Sequence, residues 1–190
     1  STLQQEASRR LRMTARRTMA LAQGLYEGVS LGEMGQVGLI TYMRTDSTRL
    51  SNEAVAQLRS QIEQTFGKDY LPPSPRVFSS RKGAQDAHEA IRPTDASLTP
   101  ELVAPYLDKD QLALYTLIWK RAMACQMADA RVERTRVEIP VGRYLFVATG
   151  SVIVFDGFLR IYQEAQDETG KSESDLEGSE RVQLEEDATL

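Results

Sequence analysis

The sequence predicts an α+β chain, with a mainly helical, tyrosine-bearing domain over residues 1–131 and antiparallel β-strands of an incomplete second domain over residues 132–190. Apolar residues recur at three- and four-residue spacing in segment after segment up to Met127, and from Val132 onward the period drops to two. Composition agrees: 190 residues with 41% hydrophobic and 26% charged suit one domain of moderate size or one and a half.

The same composition narrows the function. Nothing resembles a signal peptide or an apolar run long enough to span a bilayer. Cys125 is the single cysteine, which excludes an intramolecular disulfide and a multi-cysteine zinc site and fits a reducing cytoplasm. The formal net charge of -4 is unevenly spread, with Arg9, Arg10, Arg12, Arg16 and Arg17 crowded near the start and six acidic residues against one Lys between Gln166 and Glu180.

Local signals set the elements in order. Ser1 can cap with Gln4, and Thr2 with Gln5, opening a first helix whose apolar side carries Leu3, Ala7 and Leu11. Thr14 opens a second helix with Ala15, Met19, Ala22 and Leu25 inward. Gly28, Gly32, Gly35 and Gly38 mark a turn region, read as a hairpin, with neither the spacing nor the Lys of a P-loop. Leu39 to Met43 reads as a short buried strand, ended by the turn chemistry of Thr45 to Ser47.

Ser51 caps the next helix, which bears Val55, Leu58, Ile62 and Phe66 and stops at Gly67. Pro72, Pro73 and Pro75 form a stiff connector. Thr99-Pro100-Glu101 starts one further helix, and Asp108 with Gln111 another. The latter presents Leu112, Tyr115, Ile118, Trp119, Ala122, Cys125 and Met127 on one face, so it should be central, with Cys125 buried and inert. Beyond it, Thr135, Val137 and Ile139 alternate with charged residues, and a turn follows at Gly142. Strands are then expected at Tyr144–Ala148, Val152–Phe155 and Phe158–Tyr162, the last two joined by a hairpin turn at Asp156-Gly157. Gln166 to Glu180 reads as a mobile acidic loop, and residues 181–190 begin another strand pattern.

Chemistry concentrates in Leu39-Ile40-Thr41-Tyr42-Met43-Arg44-Thr45-Asp46-Ser47. In an extended segment side chains two apart share a face, so Tyr42 and Arg44 would point the same way. A phenol has a pKa of about 10 and needs a proton acceptor or a nearby cation before it can act as a nucleophile. A guanidinium supplies that cation, and its planar fork matches two phosphate oxygens. Attack on a phosphodiester would give a phosphotyrosine ester that conserves the energy of the broken linkage.

Thr41-Tyr42-Met43-Arg44-Thr45-Asp46-Ser47 resembles the active-site signature of type IA DNA topoisomerases, and Met43 is similar to the bacterial topoisomerase I branch, where topoisomerase III relatives usually carry Pro. Ser1-Thr2-Leu3-Gln4-Gln5 resembles the family at the same distance upstream, and Ala87-His88-Glu89-Ala90-Ile91-Arg92-Pro93-Thr94-Asp95 resembles a second strongly typed segment of it. The resemblance implies that Tyr42 attacks the DNA backbone and becomes linked to the 5′-phosphate, that Arg44 positions the scissile phosphate, and that His88, the one histidine, supports it, with Asp86 or Glu89 setting its protonation. Arg9, Arg12 and Arg16 would track DNA phosphates, and Arg92 is either a further phosphate contact or a salt-bridge partner.

The resemblance also implies a piece of a larger enzyme that relaxes supercoils by cutting one strand, passing another through the gap and resealing it. The chain would hold the tyrosine domain and part of a strand-rich arch. Magnesium would be bound by an acidic domain absent from this chain, with no cofactor expected here. Single-stranded DNA and the remaining domains of the same enzyme are the expected partners, on the bacterial nucleoid in the cytoplasm. Two readings of other classes compete: a non-catalytic single-stranded nucleic-acid binding module, and a structural interaction domain whose arginines are a solvated face. Salt-dependent binding separates these two, and covalent chemistry separates the first reading from both.

Overall fold

The computed structural model describes residues 2–78 and 89–162. These divide into two compact units, one of residues 2–129 with 157–162 and the other of residues 130–156.

The first unit opens with α1 (Thr2–Leu11) and α2 (Ala15–Glu27). Thr14 caps α2 by accepting a hydrogen bond from the Arg17 amide at 3.2 Å. Between the helices Arg12 adopts φ +53°, the one non-glycine residue with positive φ among the described residues. The inward face of α2 is Thr18, Ala22 and Leu25, whereas Ala15, expected inside, is exposed. Thr18 is buried because its hydroxyl donates to the Thr14 carbonyl at 3.0 Å, which removes its polar cost. The glycine region forms the expected hairpin, β1 (Val29–Ser30) paired antiparallel with β2 (Gln36–Val37).

α3 (Asn52–Phe66) starts at the Ser51 cap, which accepts from the Ala54 amide at 3.2 Å, and ends at Gly67 with φ +93°. Its buried residues are Ala54, Leu58 and Ile62, so Leu58 and Ile62 lie inside as expected while Val55 and Phe66 are half-buried. After the proline connector come α4 (Pro100–Val103) and α5 (Lys109–Ala124), the latter opened by the complete Asp108–Gln111 capping box. α5 packs against α1, α2, α3 and α4 and is buried nearly all round, through Leu114, Tyr115, Leu117, Ile118, Trp119, Ala122 and Met123. Its two polar aromatics are satisfied: the Tyr115 hydroxyl donates to the Leu98 carbonyl at 2.6 Å and Trp119 Nε1 to the Ala96 carbonyl at 3.0 Å. Trp119 is thus a core residue. Fully burying each large apolar side chain here contributes about 1.5–3 kcal/mol, and Leu25, Leu39, Ile40, Ile62, Leu114 and Met123 are all buried this way.

Gln126 is fully buried yet satisfied, its amide exchanging hydrogen bonds with the Arg76 backbone at 3.1 and 2.9 Å, which pins the proline connector to the end of α5. Cys125 is half-buried rather than buried, and burial pushes its thiol up to about 11, so it stays protonated.

The second unit is one hairpin, β3 (Arg131–Val141) against β4 (Tyr144–Phe155), turning at Gly142 with φ +60°. The two strands expected at Tyr144–Ala148 and Val152–Phe155 are one continuous strand, because the ladder runs through Gly150 opposite Thr135. Phe158–Tyr162, expected as a third strand, is instead a 3-10 turn belonging to the helical unit, and Asp156-Gly157 makes no hairpin. Gly157, at φ +50°, sits so close to the chain that a Cβ would lie 2.6 Å from the carbonyl oxygens of Ala128 and Asp129, and the Phe158 amide donates to Ala128 at 3.0 Å. The turn therefore folds back onto the end of α5. Tyr162 then lies buried between helices, its hydroxyl donating to Glu6 at 2.9 Å and accepting from Arg121 at 2.5 Å, with Arg10 stacked 4.7 Å over its ring. The expected acidic loop and the final strand pattern, residues 166–190, lie outside the described residues.

Candidate active site

Leu39–Met43 is extended but is not a sheet strand. Ile40 makes an isolated antiparallel bridge with Pro93, flanked by bonds from the Thr41 amide to the Arg92 carbonyl at 2.9 Å and from the Thr94 amide to the Leu39 carbonyl at 3.0 Å. Pro93 is tolerated here because in this non-hydrogen-bonded pair its nitrogen faces away from the Tyr42 segment. On its other side the segment is tied by the Leu39 amide to the Leu25 carbonyl at 2.7 Å. Gly38 permits this approach, since a Cβ there would lie 2.7 Å from the Tyr26 carbonyl oxygen. The two sequence stretches with the densest chemistry, around Tyr42 and around Arg92, are therefore hydrogen-bonded neighbours.

Exposure alternates along the block: Leu39, Ile40 and Met43 are buried, while Tyr42 is 42% exposed and Arg44 is exposed. Buried neighbours on either side hold the backbone and leave the phenol at the surface. The ring meets Tyr26 of α2 edge-on, centroids 5.3 Å apart at 62°. Arg44 makes no hydrogen bond or ion pair among the described residues. Thr45 Oγ1 accepts from the Ser47 amide at 3.0 Å and Ser47 Oγ from the Arg49 amide at 3.2 Å, the turn chemistry expected of this stretch.

Thr41 and Glu89 carry roles the sequence did not disclose. The Thr41 hydroxyl donates to the Ala90 carbonyl at 2.8 Å and accepts from the Arg92 amide at 3.0 Å. The Glu89 carboxylate accepts from the Ser51 amide at 2.8 Å, at the start of α3, and holds the Arg92 guanidinium at 2.7 and 3.1 Å. Burial opposes ionisation of Glu89, but the Ser51 and Arg92 interactions outweigh it and hold its carboxyl below the usual carboxylate value. Nη1 of Arg92 also donates to the Pro93 carbonyl at 2.9 Å, so this guanidinium is a salt-bridge partner of Glu89. Such long-range pairings leave no periodic trace in the sequence. His88 and Asp86 lie outside the described residues.

The basic run of α1 and α2 is divided. Arg10 pairs with Glu6 at 2.9 Å, and Arg17 pairs with Asp110. Arg9, Arg12 and Arg16 are all exposed, and Arg12 and Arg16 make no ion pair among the described residues. No group of three or more His, Cys, Asp or Glu side chains among the described residues could hold a metal ion. No helix among them is long and apolar enough to cross a membrane.

A surface tyrosine held by buried neighbours beside an exposed arginine is a site suited to a phosphodiester. The family model described as DNA topoisomerase matches residues 1–189, and the chain belongs to that family. Among curated relatives, it is 50% identical over 177 residues to DNA topoisomerase 1 of Xylella fastidiosa (strain 9a5c), covering 92% of this chain and 22% of that protein. DNA topoisomerase 1 of Campylobacter jejuni is 52% identical over 163 residues, 85% of this chain and 23% of that protein. The solved structure of full-length topoisomerase I from Thermotoga maritima superposes with a TM-score of 0.72 at 41% identity, covering 88% of this chain and 27% of that one. The bacterial type IA resemblance of the tyrosine block thus extends over the chain, which spans about a fifth of the length of the relatives it matches.

Proposed function

We propose that this chain is the nucleophile-bearing part of a type IA DNA topoisomerase that cleaves and rejoins one DNA strand through Tyr42 and so relaxes supercoils. The observation that carries this is the exposed phenol of Tyr42 on a backbone locked by buried Leu39, Ile40 and Met43, with exposed Arg44 at the next outward position. In the forward step the phenolic oxygen bonds to phosphorus and the bond to the 3′-oxygen breaks. The phenol gives up its proton and the departing oxygen gains one, so one phosphodiester is exchanged for another and the 5′-phosphate stays on Tyr42. Arg44 holds the non-bridging oxygens as their charge rises. His88 supports the same phosphate. Rejoining is the reverse, and it needs no nucleotide cofactor because the phosphotyrosine ester conserves the bond energy.

Arg9, Arg12 and Arg16 supply a phosphate-tracking surface for single-stranded DNA. Magnesium in the whole enzyme is assigned to its acidic domain, and no step above runs through it. The setting is the nucleoid in the bacterial cytoplasm.

The test is a denaturing gel of the full-length enzyme with a labelled single-stranded oligonucleotide. A denaturant-resistant adduct that disappears in Tyr42→Phe while oligonucleotide binding persists is the expected result. An adduct that survives in Tyr42→Phe overturns the assignment.

A further inference from the structure

We propose that a cavity of about 730 Å³ between α3 and the connector of residues 71–78 is a binding subsite for a nucleotide of the single-stranded DNA substrate. This rests on the reading of Tyr42 as the nucleophile. Its lining includes Arg49 and Leu50, which join the Tyr42 block to α3 along the chain. Its size lies within the range of about 300–1,000 Å³ usual for small-ligand sites.

The lining has the two chemistries a nucleotide needs. Val55 and Leu71 offer an apolar floor, and Phe78, 40% exposed, offers a ring on which a base can stack. Arg49, Arg59 and Arg76 line the same space, the guanidinium of Arg76 being paired with Asp129 at 2.6 Å. Glu63 is the one acidic lining residue, and Lys68 lies 3.7 Å from it, so the charge around the cavity is positive. Arg59 is fixed by donation from Nη2 to the Pro72 carbonyl at 2.9 Å, while its Nη1 is buried without any hydrogen-bond partner. A charged donor left without an acceptor is costly, and a small turn of the guanidinium toward a phosphate oxygen in the cavity would satisfy it. A carboxylate-bearing peptide could meet the arginines, but the aromatic wall beside them favours a base joined to a phosphate.

The experiment uses the full-length enzyme, single-stranded oligonucleotides carrying 5-iodouracil, and the variants Arg59→Met, which keeps the aliphatic stem, and Phe78→Ala at the cavity mouth. Irradiation is expected to cross-link the oligonucleotide to the peptide containing Phe78. Each variant is expected to raise the Kd by at least about fivefold, and Arg59→Met to reduce the slope of log affinity against log salt by about 0.7. Unchanged affinity and salt slope in both variants, with cross-links confined to other peptides, would overturn the subsite. Covalent adduct formation is followed in the same preparations: an adduct surviving Tyr42→Phe sinks the reading of the nucleophile, whereas normal loss of the adduct with unaltered binding in both cavity variants sinks the subsite alone.

Discussion

The Thr41 hydroxyl donates to the Ala90 carbonyl at 2.8 Å, one residue before the exposed phenol of Tyr42, and the same oxygen accepts the Arg92 amide at 3.0 Å. One short side chain thus satisfies two backbone groups beyond the isolated Ile40–Pro93 bridge. The link joins segments about fifty residues apart immediately beside Tyr42.

Thr41→Val keeps the shape but leaves the Arg92 amide without its acceptor. A loss of about 1–3 kcal/mol of stability is expected from thermal unfolding, together with slower adduct formation at saturating oligonucleotide. Thr41→Ser should restore both. Equal rates in the valine and threonine enzymes would show that the link does not position Tyr42.

Tyr26 touches Tyr42 edge-on, at 5.3 Å between centroids. An aromatic pair of this geometry contributes about 0.5–1.5 kcal/mol beyond burial. Tyr26→Ala should slow single-turnover cleavage several-fold, with Tyr26→Phe near the parent rate. The comparison is made at saturating DNA, where a binding defect does not contribute.

Arg44→Lys retains a positive charge but loses the planar fork. Cleavage is expected to fall by at least about tenfold while Kd for the oligonucleotide changes little, because the lost interaction strengthens in the transition state. A parallel fall in affinity would instead assign Arg44 to ground-state binding.

Glu89 gives a pH prediction. Its carboxyl is held below the ordinary value of 4.5 in the fold, so its contribution to stability is complete above that value and is lost as pH falls through the lower folded pKa. The difference in melting temperature between the parent and Glu89→Gln should be constant near neutrality and shrink below pH 4.5. A difference that persists unchanged into acid would show that charge plays no part in the Ser51–Glu89–Arg92 link.

Gly157→Ala places a Cβ 2.6 Å from two carbonyl oxygens at a positive φ. Backbone strain alone costs about 1–3 kcal/mol at such a position. Thermal unfolding should therefore show a clear loss, larger than that of the same substitution at Gly67, where φ is also positive but nothing lies within 4 Å.

Local chemistry determined much of this protein from the sequence. The caps at Thr14, Ser51 and Asp108, the stop at Gly67, the turn at Gly142 and the centrality of α5 each follow from interactions within a few residues, and such signals survive in one dimension. The tyrosine block and the family it resembles were legible for the same reason, being a contiguous run of specific residue types. Tertiary structure decided what depends on partners far along the chain. It turned Leu39–Met43 from a strand into a bridged extended segment, drew Phe158–Tyr162 onto the helices, committed Arg92 to Glu89, and brought Thr41 to Ala90. Ala15, expected inside, is exposed and Thr18 is buried, because a hydroxyl can satisfy itself on the preceding turn and which helical face is buried is set by the neighbours that pack on it. The sequence thus pointed to Tyr42 as the proposed nucleophile, and the long-range contacts decided how its segment is held.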